Sequence, residues 1–152
     1  MSIQLTTDEL RRRTEEFLRY RTDANPNAMP DPSAALSIAD CDGPSGTVTF
    51  SYETKPWMTN IWGVVHGGVV ACLVDTCMGI ACGVQAGMIT PTISMTVNYA
   101  RPVPLNATLL VRAHTTRIGS STGQMSAEVF IPEKPGEVLV TATGAYHVRK
   151  AK

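Results

Sequence analysis

The chain has 152 residues, 43% hydrophobic and 17% charged, the length of one domain with a real core and a composition that argues against wholesale disorder. Lys plus Arg and Asp plus Glu both number 13, so the chain lacks the basic balance that a nucleic-acid binder needs to neutralise phosphates. The N-terminal MSIQLTTDELRRRTEEF has no apolar signal core, and the apolar centre is broken by His66, Asp75 and glycines, which makes it a poor membrane span.

In chain order, Thr6 and Glu9 have the spacing of a capping box. A helix is predicted from there to about Tyr20, with Leu10, Phe17 and Leu18 as its apolar stripe. Arg11, Arg12 and Arg13 are interrupted by Glu15 and Glu16 and read as a solvated helix face. The Pro- and Asn-rich stretch from Asp23 to Ser33 is an irregular connection. Strands are expected at Ala35 to Ile38 and Gly46 to Tyr52, around a turn at Asp40 to Pro44. Lys55 to Gly63 reads as a loop, and a helix starts at Gly67 or Gly68 and runs to about Cys82. Four strands follow, near Ile93 to Tyr99, Thr108 to His114, Gly123 to Ile131 and Val138 to Val148. Consecutive strands with short links form an antiparallel sheet, so the expected fold class is α+β, one long apolar helix against one large sheet.

Cys72, Cys77 and Cys82 recur every five residues, roughly 140° apart on a helix. They cannot converge on one ion, and Cys41 adds no metal spacing, so no metal is expected. Buried thiols in a reducing, cytoplasmic setting fit better.

The central helix is apolar on every face, through Val69, Val70, Leu73, Val74, Met78 and Ile80. One curved sheet covers only part of such a helix. A second copy of the chain is the economical cover for the rest, so a dimer is expected. Asp75 is the one Asp, Glu, Lys or Arg between Lys55 and Arg101. A lone buried carboxylate costs several kcal/mol unless it is paired or hydrogen-bonded. It either meets a charge or cap from elsewhere in the fold, or serves as a catalytic carboxylate in a partly dry cleft. His66-Gly67-Gly68 precedes it. Glycines at a helix start admit a ligand to the backbone, where open N–H groups and the dipole can hold an oxyanion. Gly67 and Asp75 are nevertheless ~12 Å apart along one helix. Two such helices lying antiparallel across a dimer axis would bring the Asp75 of one to the Gly67 of the other.

The segment Asn60 to Asp75, NIWGVVHGGVVACLVD, resembles the signature of hotdog-fold acyl-CoA thioesterases of the phenylacetate-degradation (PaaI-like) group. Those enzymes carry an Asn, a Gly, His-Gly-Gly and a helix Asp at this spacing. TISMTVNYARPVPLNATLLVRA and RIGSSTGQMSAEVF resemble their later strands. The likeness runs from about Ser37 to Val148 of a single domain, with residues 1–34 as an added helix and linker. It implies a long helix wrapped by a curved antiparallel sheet, in a homodimer or a dimer of dimers.

The resemblance also implies roles. Asp75 would be general base or nucleophile on the thioester, and the Gly67 N–H of the other subunit would polarise its carbonyl. Asn60 would orient the carbonyl or the water, and His66 would support the loop in preference to acting as the base. Thr92 would position water, with Thr90 and Ser94 as neighbouring candidates. Gly68 and the turn Arg117-Ile118-Gly119-Ser120-Ser121 would contact CoA. Ser120 stands where the family often has a basic residue, so the expected anchoring is either weaker or supplied by Arg117. Trp57, Met58 and Trp62 would line the acyl pocket or plug the mouth of the sheet. No cofactor is implied, since CoA is part of the substrate. A hotdog dehydratase is the enzyme alternative, although HGGVV lacks the prolines expected after its His. An acyl-CoA-binding module without turnover is the other alternative, and it would have little use for Asp75.

Overall fold

The structure, a computed structural model, describes residues 4–24 and 35–148. Most of the expected Pro- and Asn-rich connection falls outside these. Helix α1 covers Thr7–Ala24 and so runs past Tyr20. The Thr6 hydroxyl accepts from the Glu9 N–H at 3.2 Å, one half of the expected box. The Glu9 carboxylate turns instead to Arg12 at 2.8 Å and Arg13 at 2.6 Å. The arginine run is therefore a face of i,i+3 and i,i+4 pairs, as expected. On the opposite side Leu10 is fully buried. Thr14 is buried beneath it and donates to the Leu10 carbonyl at 2.7 Å.

Strands β1 (Ser37–Asp42) and β2 (Thr47–Glu53) form a hairpin. β1 continues through the expected turn as far as Asp42, because the chain reverses at Gly43 to Gly46, where the Gly46 N–H meets the Gly43 carbonyl. A short 3-10 turn at Pro56–Met58 leads to the central helix α2, Gly67–Ala86. Strands β3 (Thr92–Tyr99), β4 (Thr108–Ile118), β5 (Thr122–Phe130) and β6 (Val140–His147) complete one antiparallel sheet in the order β1-β2-β4-β5-β6-β3.

That order corrects one expectation. β3 does not pair with β4, its successor in sequence, but lies beyond β6 at the sheet edge. The link at 100–107 is long enough for the crossing: eight residues reach roughly 26 Å extended, against about 14 Å for three strand spacings. Pro102 and Pro104 favour an extended path, and Val103 is buried with its carbonyl accepting from the Val65 N–H at 2.9 Å.

The concave face of the sheet holds α2. Alternate residues of β4 (Leu109, Val111, Ala113), β5 (Met125, Ala127, Val129) and β6 (Val140, Ala142, Tyr146) are buried beneath it. From α2 come Val70, Leu73, Val74, Cys77, Met78, Ile80 and Ala81, all buried. The helix is not covered all round. Gly68 and Cys72 are exposed, and Asp75, Thr76 and Gly79 are half-buried, a stripe at helical spacing. Cys72 thus differs from the buried Cys41, Cys77 and Cys82. The helix also continues past Cys82, since Gly83 is an internal position. Gly87 ends it with φ 71°, the left-handed conformation that favours glycine. By length and composition α2 could cross a membrane, yet 56% of its most apolar window is buried within the fold, as in the core helix of a globular domain.

The packing predicts which contacts hold α1. Leu10→Ala should lower unfolding stability by about 2–4 kcal/mol, read from denaturant midpoints. Arg12→Ala, which removes only solvent-exposed ion pairs, should leave the midpoint nearly unchanged.

Candidate active site

The loop before α2 is built around Asn60. Its Oδ1 accepts from the N–H groups of Trp62 at 2.9 Å and Val64 at 3.3 Å, an Asx-type turn. The Asn60 N–H donates to the Val64 carbonyl at 2.8 Å, and the His66 N–H to the Met58 carbonyl at 2.8 Å. His66 is the N-cap of α2, its Nδ1 accepting from the Gly68 N–H at 2.9 Å. This bond needs an unprotonated Nδ1, so in the neutral ring the proton sits on Nε2. Tyr99, at the end of β3, donates its hydroxyl to the Gly67 carbonyl at 2.6 Å and ties the helix start to the edge strand. Burial pushes this phenol above the ordinary tyrosine range. The Gly67 N–H and the Asn60 side-chain amide meet no acceptor among the described residues. Both residues line a concavity of about 550 Å³, together with Thr59, Ile61, Trp62 and His66. Trp57 and Trp62 are exposed, whereas Met58 is buried under the loop.

Asp75 sits two turns further along α2. Its Oδ1 accepts from the Thr92 hydroxyl at 2.9 Å and from the Tyr146 hydroxyl at 2.9 Å. Of the sequence's two readings, the cap from elsewhere describes these contacts, and the donors are hydroxyls. Such bonds do not preclude chemistry, because a carboxylate has about four acceptor positions. Among the three hydroxyls considered for this place, Thr92 touches Asp75. Thr90 is buried and donates to the Gly79 carbonyl at 3.1 Å, and Ser94 is exposed on β3. Tyr146 escaped the sequence reading: an inward Tyr on an alternating strand looks like core. Burial pushes its ionisation far above the ordinary tyrosine range. The Asp75 carboxylate adds to this through its charge and by accepting the phenol's hydrogen bond.

One chain does not assemble all the candidate residues. Asp75 does not line the concavity at Asn60 and Gly67. Arg117, Gly119 and Ser120 line a separate groove of about 660 Å³ with Gln4, Gln85 and Ala86, at the other end of α2, roughly 28 Å from Gly67 along the helix. In that turn the Gly119 N–H is already used, donating to the Thr122 carbonyl at 2.8 Å, while the Ser121 carbonyl accepts from Val148 at 2.8 Å. The turn therefore offers the Arg117 side chain and the Ser120 and Ser121 hydroxyls rather than the Gly119 amide. Gly68 likewise spends its N–H on the His66 cap, which leaves Gly67 as the open donor of the pair.

A single helix cradled by a six-stranded antiparallel sheet is the hotdog fold. The chain belongs to the thioesterase superfamily, whose family model matches residues 63–138. A Halobacterium salinarum protein carrying the name "putative esterase" is 34% identical over 97 residues, which take in 57% of this chain and 61% of that protein. The chain thus spans less than two thirds of that relative. In structure the chain resembles the PaaI protein of the E. coli phenylacetic acid degradation operon, with TM-score 0.75, 22% identity and 94% of this chain and 98% of that chain covered. A Streptococcus mutans protein bound to acetyl-CoA matches with TM-score 0.67 and 24% identity over 76% of this chain and 91% of that chain.

The raised phenol of Tyr146 sets a pH dependence. A group whose folded pKa lies above its unfolded value contributes stability that is complete below the unfolded value, about 10 for tyrosine, and is lost as pH rises beyond it. Denaturant midpoints between about pH 9 and 11 should therefore fall less steeply for Tyr146→Phe than for the wild type. The buried thiols of Cys41 and Cys82, raised chiefly by burial, act in the same direction in both proteins and cancel in the difference.

Proposed function

We propose that the protein is a cytoplasmic acyl-CoA thioesterase of the PaaI-like kind, working as a homodimer with sites shared between subunits. The observation that carries this reading is the Asp75 carboxylate, held by Thr92 on the uncovered stripe of an otherwise buried helix. Superfamily membership supports hydrolysis, and the acetyl-CoA bound to the S. mutans protein supports the substrate class.

The dimer follows from what one chain leaves uncovered. β3 is an edge strand with Ile93 and Tyr99 exposed, and the α2 stripe of Gly68, Cys72, Asp75, Thr76 and Gly79 is small enough for close approach. Antiparallel α2 helices from two copies would set Asp75 of one opposite the Gly67 N–H and the Asn60 amide of the other. The thioester carbonyl oxygen takes the Gly67 N–H, which strengthens as charge develops on that oxygen. With Asp75 as base, a water oxygen bonds to the carbonyl carbon and its proton passes to Asp75. Collapse of the adduct then breaks the C–S bond, CoA leaves as thiolate and the acid remains. With Asp75 as nucleophile, its oxygen bonds to the carbonyl carbon, the C–S bond breaks and CoA leaves as thiolate; water then hydrolyses the anhydride to the free acid and the Asp75 carboxylate. Single turnover in ¹⁸O-water identifies the second route when water attacks the aspartyl carbonyl, since only then does Asp75 carry the label. Arg117 on the far groove would neutralise a CoA phosphate, and Trp62 and Ile61 supply apolar wall for the acyl group.

Asp75→Asn should reduce hydrolysis across a panel of aryl-acetyl to long-chain acyl-CoAs by at least about 10²-fold while the dimer stays folded. Undiminished turnover by the variant would reject the catalytic role of Asp75, whereas wild-type protein that binds acyl-CoA without hydrolysing it would be an acyl-CoA-binding module. Mixing Asp75→Asn chains with inactive Asn60→Ala chains should restore part of the activity through hybrid dimers. If subunits exchange and nothing is restored, the site is not shared.

A further inference from the structure

The two oxygens of Asp75 are held unequally. Thr92 and Tyr146 both donate to Oδ1, each at 2.9 Å, whereas Oδ2 accepts no hydrogen bond from any described residue. The Tyr146 hydroxyl also stands 3.2 Å from the Asp75 main-chain carbonyl. One phenol therefore grips both the side chain and the backbone of the same helical residue.

The two donors differ in how firmly they are set. Thr92 is exposed on the edge strand, where water can compete for its bond. The Tyr146 ring is fully buried on β6, and glycines form its seat. A Cβ on Gly79 of α2 would lie 3.4 Å from the ring, and one on Gly144 would lie 2.9 Å from Cε2 and 3.2 Å from the hydroxyl oxygen. A ring packed this closely cannot swing aside, so its hydroxyl marks a fixed point against which the carboxylate is oriented. Register strengthens the arrangement, because Thr92 and Tyr146 are cross-strand partners in the β3–β6 ladder. Burial and the neighbouring carboxylate keep the phenol protonated, so it remains a donor through neutral and moderately alkaline pH.

We propose that Tyr146 is a positioning residue for thioester hydrolysis: with Thr92 it occupies Oδ1 of Asp75 and leaves Oδ2 as the oxygen that reacts. The inference rests on the reading of Asp75 given under Proposed function. A carboxylate able to rotate would present either oxygen at varied angles, and attack or proton transfer depends on geometry held to fractions of an ångström.

Tyr146→Phe keeps the ring and removes only the hydroxyl. The expected result with an acyl-CoA that the wild type hydrolyses is a kcat lower by about tenfold, from loss of one charge-assisted hydrogen bond, with KM within about twofold and the dimer intact. A residue of purely structural importance would instead lower the thermal midpoint and the amount of active enzyme, leaving kcat per folded site unchanged. Should loss of the hydroxyl unsettle the fold, the same split is read in Gly144→Ala, whose methyl would press on the ring and displace the hydroxyl. Wild-type kcat per folded site in these variants, beside an inactive Asp75→Asn, overturns the role of Tyr146 and leaves the hydrolase reading standing. Normal turnover by Asp75→Asn removes the catalytic reading of Asp75, and the role of Tyr146 with it, whereas no turnover by the wild type removes the hydrolase reading itself.

Discussion

A carboxylate on an apolar helix must find hydrogen-bond donors, and in this fold the donors stand on strands distant in sequence. Asp75 is satisfied by Thr92 of β3 and Tyr146 of β6, and these two residues face each other in register. The crossing of 100–107 carries β3 past its successor to the free edge of β6. Had β3 paired with β4 as a simple meander, Thr92 and Tyr146 would not be neighbours and Asp75 would lose its paired donors. The strand order and the burial of an acid on α2 are two sides of one constraint.

The stripe around Asp75 follows from the same geometry. α2 is buried wherever Val, Leu, Ile and Met meet the sheet, and uncovered where Gly68, Cys72, Asp75, Thr76 and Gly79 succeed one another. Small residues there serve the covered side as well: Gly79 leaves room for the Tyr146 ring, so the helix comes close to β6 at the level of its acid. A larger residue at Gly79 would crowd the ring that holds the carboxylate. Packing and chemistry thus constrain the same turn of helix.

What the sequence disclosed and what it hid divide along local and non-local lines. The elements, the loop before α2 and the place of Asp75 are written in short patterns: Gly-Gly at a helix start, strict alternation, one acid in an apolar run. Thr92 is singled out only through the family resemblance, beside Thr90 and Ser94, and His66 only as support for the loop. Strand order is not local, since the pairing of β3 depends on where an eight-residue link ends, and the prolines in that link only favour its extended path. α2 runs past the expected end near Cys82 to Ala86, and the left-handed turn falls at Gly87. Tyr146 was illegible for another reason. Inward residues of an alternating strand are expected to be core, and only the three-dimensional approach of Gly79 and Gly144 distinguishes a phenol that holds an acid from one that fills space. The turn at Arg117 was legible as a turn, but not the use of its Gly119 amide within the hairpin.

The cap at the start of α2 carries the last step. A helix N-terminus offers several unpaired N–H groups, and an unsatisfied first turn could bind a carbonyl in more than one way. Here His66 takes the Gly68 N–H, and the Val69 and Val70 N–H groups both turn to the His66 carbonyl at 2.9 Å and 3.2 Å. Within the first turn only the Gly67 N–H remains open among the described residues, and Tyr99 fixes that peptide through the Gly67 carbonyl at 2.6 Å. His66 therefore acts here by closing alternatives: with Nδ1 committed to the cap, its ring is held as an acceptor toward its own helix. The fold presents one aimed donor at the helix start and, at Asp75, one unoccupied carboxylate oxygen. That pairing of single groups is what the proposed hydrolysis requires, since it must align one carbonyl with one attacking oxygen.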